Sequence, residues 1–232
     1  MENPSAPVVE TRQGALIGFT EGDTHVWCGI PYAAPPVGQW RWRSPRPPAR
    51  WDGVRPATAF SASSWQSSES CQELGGGDPG QFSEDCLYLN VWSPVARADP
   101  LPVMVWLHGG GFTLGAGGLP PYNGRALAKR GTVVVTINYR LGHLGFFAHP
   151  ALEGEEERVV HNFALLDQIQ ALEWVRDNIA AFGGDPENIT VFGESAGARS
   201  VLSLMASPLA RGLFHKAIVQ SGYTLPDTPR EQ

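Results

Sequence analysis

Apolar positions in residues 163–182 recur every three or four places, at Phe163, Leu166, Ile169, Leu172, Val175, Ile179 and Phe182. That period predicts a helix with one buried face. Asn162 stands where an N-cap would, and Gly183-Gly184 stops the pattern. Elsewhere the apolar residues come in short unbroken runs, at 103–107, 133–137, 189–192 and 217–219. Runs of that length without alternation predict strands buried on both faces. Helix-compatible stretches at 124–130 and 198–206 separate them. Strand and helix in alternation predict an α/β fold, a mostly parallel central sheet with helices on both faces.

Residues 86–92 alternate and predict a further strand. Two runs at 15–20 and 24–30 flank the turn pair Gly22-Asp23 and predict a small N-terminal antiparallel hairpin. Residues 31–56 carry Pro35-Pro36, Trp40, Trp42, Pro47-Pro48 and Trp51. Three tryptophans predict an ordered irregular segment pinned to a surface, where a linker would be polar. Residues 61–84, rich in serine and glycine, read as a loop. Neither an internal repeat nor a domain boundary is visible, so residues 1–232 are read as part of one domain.

Composition narrows the class without naming it. The 232 residues are 42% hydrophobic and 17% charged, which is globular. A net charge of −6 with no long block of like charge gives no nucleic-acid footprint and no membrane-surface helix. No apolar run is long enough to span a bilayer. The first residues, Met1 to Pro7, lack the basic and apolar regions of a signal peptide, so a cytoplasmic location is expected. Cys28, Cys71 and Cys86 are an odd number of cysteines, and free thiols are expected. If oxidised, Cys71 and Cys86 would close a loop worth roughly 3 kcal/mol. No Cys/His cluster has zinc spacing, and neither metal nor cofactor is expected.

The chemistry concentrates in Gly193-Glu194-Ser195-Ala196-Gly197, between the strand run 189–192 and the helical run 198–206. A serine at the apex of a sharp strand-to-helix turn has a strained backbone, and the turn's ends come close enough to need glycine. The following helix points free N–H groups toward whatever the serine holds. A hydroxyl nucleophile also needs donors for the oxyanion it creates and a base to take its proton. The first need is met by His108-Gly109-Gly110-Gly111 after the 103–107 run; the candidate donors are the N–H groups of Gly110, Gly111 and Ala196. The second is not met. The order serine, acid, histidine goes with this turn, yet only 37 residues follow Ser195 and His215 is the single histidine among them. His215 is read as a structural or surface residue. His108 is read as shaping the glycine turn, and the other histidines as structural.

Several stretches together resemble a known family. They are Gly29-Ile30-Pro31-Tyr32-Ala33 with Pro35 to Gly38, Ser83-Glu84-Asp85-Cys86-Leu87-Tyr88-Leu89-Asn90-Val91, His108 to Phe112, Asn138-Tyr139-Arg140-Leu141-Gly142, Leu166-Asp167-Gln168, Phe182 to Pro186, and the serine turn. In this order they resemble the N-terminal half of the type B carboxylesterase/cholinesterase family of α/β-hydrolases. The resemblance implies a serine carboxylic-ester hydrolase acting on a small-molecule ester through an acyl-enzyme. Ser195 would be the nucleophile, with Gly110, Gly111 and Ala196 as the oxyanion hole. It implies an active-site carboxylate at Glu194, distinct from the triad acid, and a supporting serine at Ser221.

Two departures matter. Family members are about twice as long, and their triad acid and histidine lie in the half not matched, so the chain is expected to be a fragment or truncated product. The 71–86 loop also lacks the tryptophan on which cholinesterases bind a quaternary ammonium. A minor one is Ala164, where the family usually has glycine. Truncation after the 217–219 strand would leave an apolar sheet edge, so the chain alone is expected to aggregate and to be inactive. The alternatives are an inactive remnant and a non-catalytic, cholinesterase-like binding protein. Retention of Ser195 and the glycines, without signal or anchor, favours the enzyme lineage. Nothing in the sequence fixes an oligomeric state or the acyl and alcohol preference.

Overall fold

Three of the unbroken apolar runs form the centre of a seven-stranded sheet, and the fourth, 217–219, lies at its edge and is largely exposed rather than buried on both faces. The structure is a computed structural model that describes residues 6–96, 100–152 and 161–222. Its strands in chain order are β1 (Val8–Glu10), β2 (Ala15–Ile17), β3 (Phe19–Glu21), β4 (Thr24–Pro31), β5 (Val54–Pro56), β6 (Tyr88–Pro94), β7 (Leu101–Leu107), β8 (Val133–Ile137), β9 (Gly184–Glu194) and β10 (Lys216–Gln220). The α-helices are α1 (Ser68–Glu73), α2 (Arg125–Ala128), α3 (Gly142–Phe146), α4 (Phe163–Asn178) and α5 (Ala196–Ala206). The large sheet has the order β10-β9-β7-β8-β6-β4-β3, and β1, β2 and β5 form a separate three-stranded sheet.

Strands β10, β9, β7 and β8 run parallel, as the unbroken runs predict. The other half of the sheet is antiparallel, through β6, β4 and β3. The predicted hairpin is therefore no separate unit: β3 and β4 pair Glu21 with Thr24 across Gly22-Asp23 and extend the same sheet. Its first run is also split in two. A Cβ at Gly18 would lie 2.3 Å from the Val26 carbonyl and 2.6 Å from the Trp27 ring. The chain bends there, and β2 leaves for the small sheet.

Both faces of the sheet are covered near its middle. On one face Val103, Val105, Leu107, Val133, Val135, Ile189 and Val191 join Leu172, Val175 and Val201 from α4 and α5 in one core. On the other, Val134 and Trp92 pack with Ala128 of α2. Every residue of β8 is buried. Helix α4 ends at Asn178, and a 3₁₀ turn over Ile179–Phe182 carries the rest of the predicted span. Asn162 holds the N-cap position but its side chain makes no capping bond. Inside α4 the buried Asp167 takes a bidentate pair from Arg140, at 2.8 Å from Nε and 2.7 Å from Nη2. Ala164 is fully buried, and its methyl is accommodated because Gly145 faces it.

Two short helices interrupt regions read without helix. Helix α1 lies inside the predicted 61–84 loop, where Ser67 Oγ accepts the Ser70 N–H at 3.2 Å. Helix α3 follows Leu141. The tryptophans do pin the 31–56 segment: Trp51 Nε1 donates to the Ala15 carbonyl and Trp42 Nε1 to that of His143, each at 2.8 Å. All three cysteines are free and buried. Burial pushes the Cys86 thiol up to about 12. Strand β10 is the sheet edge, with Ile218 43% and Val219 38% exposed. Among the described residues no helix is long and apolar enough to cross a membrane, and no three His, Cys, Asp or Glu side chains gather as metal ligands.

Candidate active site

Strand β9 ends at Glu194 and α5 begins at Ala196, so Ser195 alone makes the turn. Its backbone sits at φ 53° and ψ −117°, left-handed and costly for a residue with a side chain. Three contacts hold it there. The Ser195 N–H donates to the Gln220 carbonyl at the end of β10, at 2.9 Å. A Cβ at Gly193 would lie 2.6 Å from Gly197 C, and one at Gly197 only 2.0 Å from the Leu107 carbonyl. Both ends of the turn thus press against each other and against the end of β7, which is the reason the sequence puts glycine at both. Serine at an N-cap usually spends its hydroxyl on the helix. Here it makes no capping bond, and Ser195 Oγ has no hydrogen-bond partner among the described residues. Helix α5 still directs its positive end at this side chain.

Beside it, the chain leaving β7 makes a glycine turn whose peptide orientations can be read from their bonds. The Gly109 carbonyl receives a bond from His108 Nδ1 at 2.9 Å. The Gly110 carbonyl receives the N–H groups of Thr113 at 3.0 Å and Leu114 at 2.9 Å, and the Thr113 hydroxyl at 3.3 Å. A trans peptide points its N–H opposite its C=O. The N–H groups of Gly110 and Gly111 therefore point away from the donors that hold those two carbonyls. Neither they nor the Ala196 N–H has an acceptor among the described residues. Gly110 and Gly111 have φ of 98° and 61°, which explains glycine at both.

His108 is fully buried and lies stacked on Tyr139, ring centroids 4.2 Å apart. Because a carbonyl only accepts, Nδ1 carries the proton, and Nε2 is left buried without a partner. Burial holds its pKa down to about 4, against the opposing effect of its bond to Gly109. It is a neutral prop beneath the turn. The Tyr139 hydroxyl donates to the His108 carbonyl at 2.6 Å and ties the turn to the end of β8.

Ser195, Glu194, Gly109, Gly110 and Gly111 line one cavity of about 420 Å³. Its remaining walls include Cys71, Leu74 and Gly76 from α1 and the residues after it, with Leu119 and Tyr122. The Glu194 carboxylate lies against the glycine turn, where a Cβ on Gly109 would be 2.8 Å from Oε2. The Tyr122 phenol is pushed up first by burial, then by the charge of Glu194. Ser221, exposed at φ 52° just past β10, makes no hydrogen bond to Ser195 or Glu194. Its neighbours on either side lie near the turn, Gln220 through its carbonyl and Gly222, where a Cβ would be 3.1 Å from that of Ala198.

No histidine among the described residues is bonded to Ser195. His25 is bonded to Thr20 at 2.9 Å, and His149 accepts the Ala151 N–H. His215 Nδ1 accepts the Ile189 N–H at 3.1 Å, tying the entry of β10 to the middle of β9. The contribution of α1 to the cavity wall went unread, because the stretch around it is rich in serine and glycine and shows no helical period. The Ser67–Ser70 cap was the available signal.

Comparison with known proteins finds a matching family model and similar structures. The model of the carboxylesterase family matches residues 5–228. The para-nitrobenzyl esterase of Bacillus subtilis is 53% identical over 93% of this chain and 43% of its own length. The fumonisin B1 esterase of Sphingopyxis macrogoltabida is 51% identical over 92% of this chain and 39% of its own. A solved thermophilic pNB esterase superposes with a TM-score of 0.88 at 50% identity, over 94% of this chain and 44% of that one. The chain thus spans well under half the length of these relatives.

Proposed function

The chain belongs to the carboxylesterase family, and from that membership we propose that it supplies the nucleophile and oxyanion half of a serine carboxylic-ester hydrolase. The observation that carries this reading is Ser195 itself, with a strained backbone, an uncommitted hydroxyl and a place in the same cavity as two glycines with free N–H groups. In the proposed reaction Ser195 Oγ attacks the carbonyl carbon of an ester and gives its proton to a base. The carbonyl oxygen becomes an oxyanion that the N–H groups of Gly110, Gly111 and Ala196 receive. The C–O bond to the alcohol then breaks, the leaving oxygen takes a proton, and the acyl group stays on Ser195. Water repeats the sequence and releases the acid. Removing one such donor costs roughly a hundredfold to a thousandfold in rate.

The base is not assigned to any residue of this chain. Without it the 232 residues by themselves are expected to be inactive, as a remnant would be. Glu194 borders the cavity with its carboxylate against the glycine turn, and Ser221 is kept as a support near the turn rather than a reacting group. The substrate class is a small uncharged ester. The wall from α1 and the residues after it offers Cys71, Leu74 and Gly76 rather than an indole, which supports no quaternary ammonium site.

The test extends the full chain with the part of para-nitrobenzyl esterase that the chain does not match. This joined protein is expected to hydrolyse p-nitrophenyl acetate, and Ser195→Ala to abolish the activity. A folded joined protein whose rate is indifferent to Ser195→Ala contradicts the proposal.

A further inference from the structure

Three consecutive glycines have more freedom to lose than any other tripeptide, so a turn built of them needs holding. The bonds on the Gly110 carbonyl come from three and four residues away and shape the turn without orienting it toward Ser195. Orientation has to come from distant parts of the chain. Two such anchors are the Tyr139 hydroxyl on the His108 carbonyl and the Gly142 N–H on the Phe112 carbonyl at 2.7 Å. The third acts at the far end of the turn.

There the Gln66 side chain closes on Gly115 from both sides. Its Nε2 donates to the Gly115 carbonyl at 2.9 Å, and the Gly115 N–H donates to its Oε1 at 2.8 Å. The amide behaves toward Gly115 as a neighbouring strand would. Nε2 also donates to the Ser64 carbonyl at 3.1 Å, which fixes the side chain to its own segment. That segment is itself anchored. Ser64 Oγ accepts the Leu141 N–H at 3.1 Å, the Ala62 carbonyl accepts from Asn138 Nδ2 at 3.1 Å, and Ser63 is bonded to Gln81 and Ser83 through the backbone. On its other side Gly115 meets the His108 ring, where a Cβ would lie 2.2 Å from Nδ1. Gly115 is therefore held between Gln66 and the imidazole that fixes the Gly109 peptide.

We infer that Gln66 is a positioning residue for the oxyanion donors: its two-bond clasp on Gly115 holds the glycine turn in place against Ser195. The inference rests on the reading of Gly110 and Gly111 as those donors. Gln66 touches neither substrate nor nucleophile and acts only through the turn. Loosening the clasp leaves the donors present but less well placed, and misplacement of about 1 Å costs on the order of a hundredfold in rate.

In the joined protein Gln66→Met keeps the volume and removes both bonds. Expected is a fall in kcat for p-nitrophenyl acetate of about tenfold to a hundredfold, with KM changed by less than about twofold. Affinity for phenyl trifluoromethyl ketone, whose adduct places an oxyanion against the same donors, falls by the same factor. A residue that only stabilised the fold would lower the active fraction and leave both constants per folded molecule alone. Independently, amide hydrogen exchange in the unsubstituted joined protein should find the Gly115 N–H protected well beyond an exposed loop amide. Unchanged kcat and ketone affinity in folded Gln66→Met, or free exchange at Gly115, overturns the inference. If instead Ser195→Ala leaves the rate intact, the oxyanion reading fails, while the exchange result still reports on the clasp.

Discussion

Acidification should destabilise the protein through one imidazole. His108 titrates near 6.5 in an unfolded chain and, held dry beneath the glycine turn, only at about 4 in the fold. Between those values the unfolded chain binds a proton that the folded one refuses, so stability rises with pH across the interval. The contribution is complete above about pH 6.5 and is lost progressively as the solution is brought down to about pH 4. Two and a half pH units correspond to about 3 kcal/mol, a large part of the stability of an ordinary domain. The assay is urea unfolding of the joined protein at half-unit steps from pH 4 to 8, beside His108→Gln, in which this term is absent. The difference in unfolding free energy between the two should shrink by about 3 kcal/mol from pH 7 to pH 4. NMR titration of the His108 ring gives the folded value directly. Parallel pH profiles for the two proteins, or a ring that titrates above pH 6 in the folded state, would refute the reasoning.

Gly197→Ala puts a methyl 2.0 Å from the Leu107 carbonyl, a backbone atom that cannot swing aside. It should cost about 1–3 kcal/mol in urea unfolding and remove nearly all ester hydrolysis, since relief comes only by moving the serine turn. Arg140→Met leaves Asp167 charged and fully buried without its partner. A loss of about 3–5 kcal/mol is expected by the same measurement. The unextended 232-residue chain, with Ile218 and Val219 exposed along an edge strand, should elute as aggregate in gel filtration and lack burst kinetics with p-nitrophenyl acetate. A monodisperse peak with a cooperative melt would count against the edge argument.

What the sequence made legible was local. The turn around Ser195 and the glycines after β7 are each written in a few adjacent residues, because the steric demand lies between near neighbours. Parallel pairing of β10, β9, β7 and β8 followed from unbroken apolar runs. Of the antiparallel half the β3–β4 hairpin was legible from its turn pair, but the direction of β6 was not, since β6 and β4 are also nearly buried on both faces and their direction depends on connections. Gly18 looked like one more strand residue until the closeness of Val26 and Trp27 showed why the strand breaks. Asn162 has the right residue type for a cap, yet at ψ 55° its side chain does not reach the helix. Gln66 was invisible for a different reason. Its partner is 49 residues away, and a glutamine in a serine-rich loop has no pattern that marks a long-range bond.

The central claim is that Ser195 carries the acyl group. Rapid quench of the joined protein with p-nitrophenyl acetate, followed by mass analysis of its peptides, tests it most directly. The account predicts one acetyl group, on the peptide containing Ser195, formed within the burst and absent in Ser195→Ala. Steady hydrolysis with the acetyl group on another residue, or with a burst that survives Ser195→Ala, would contradict it.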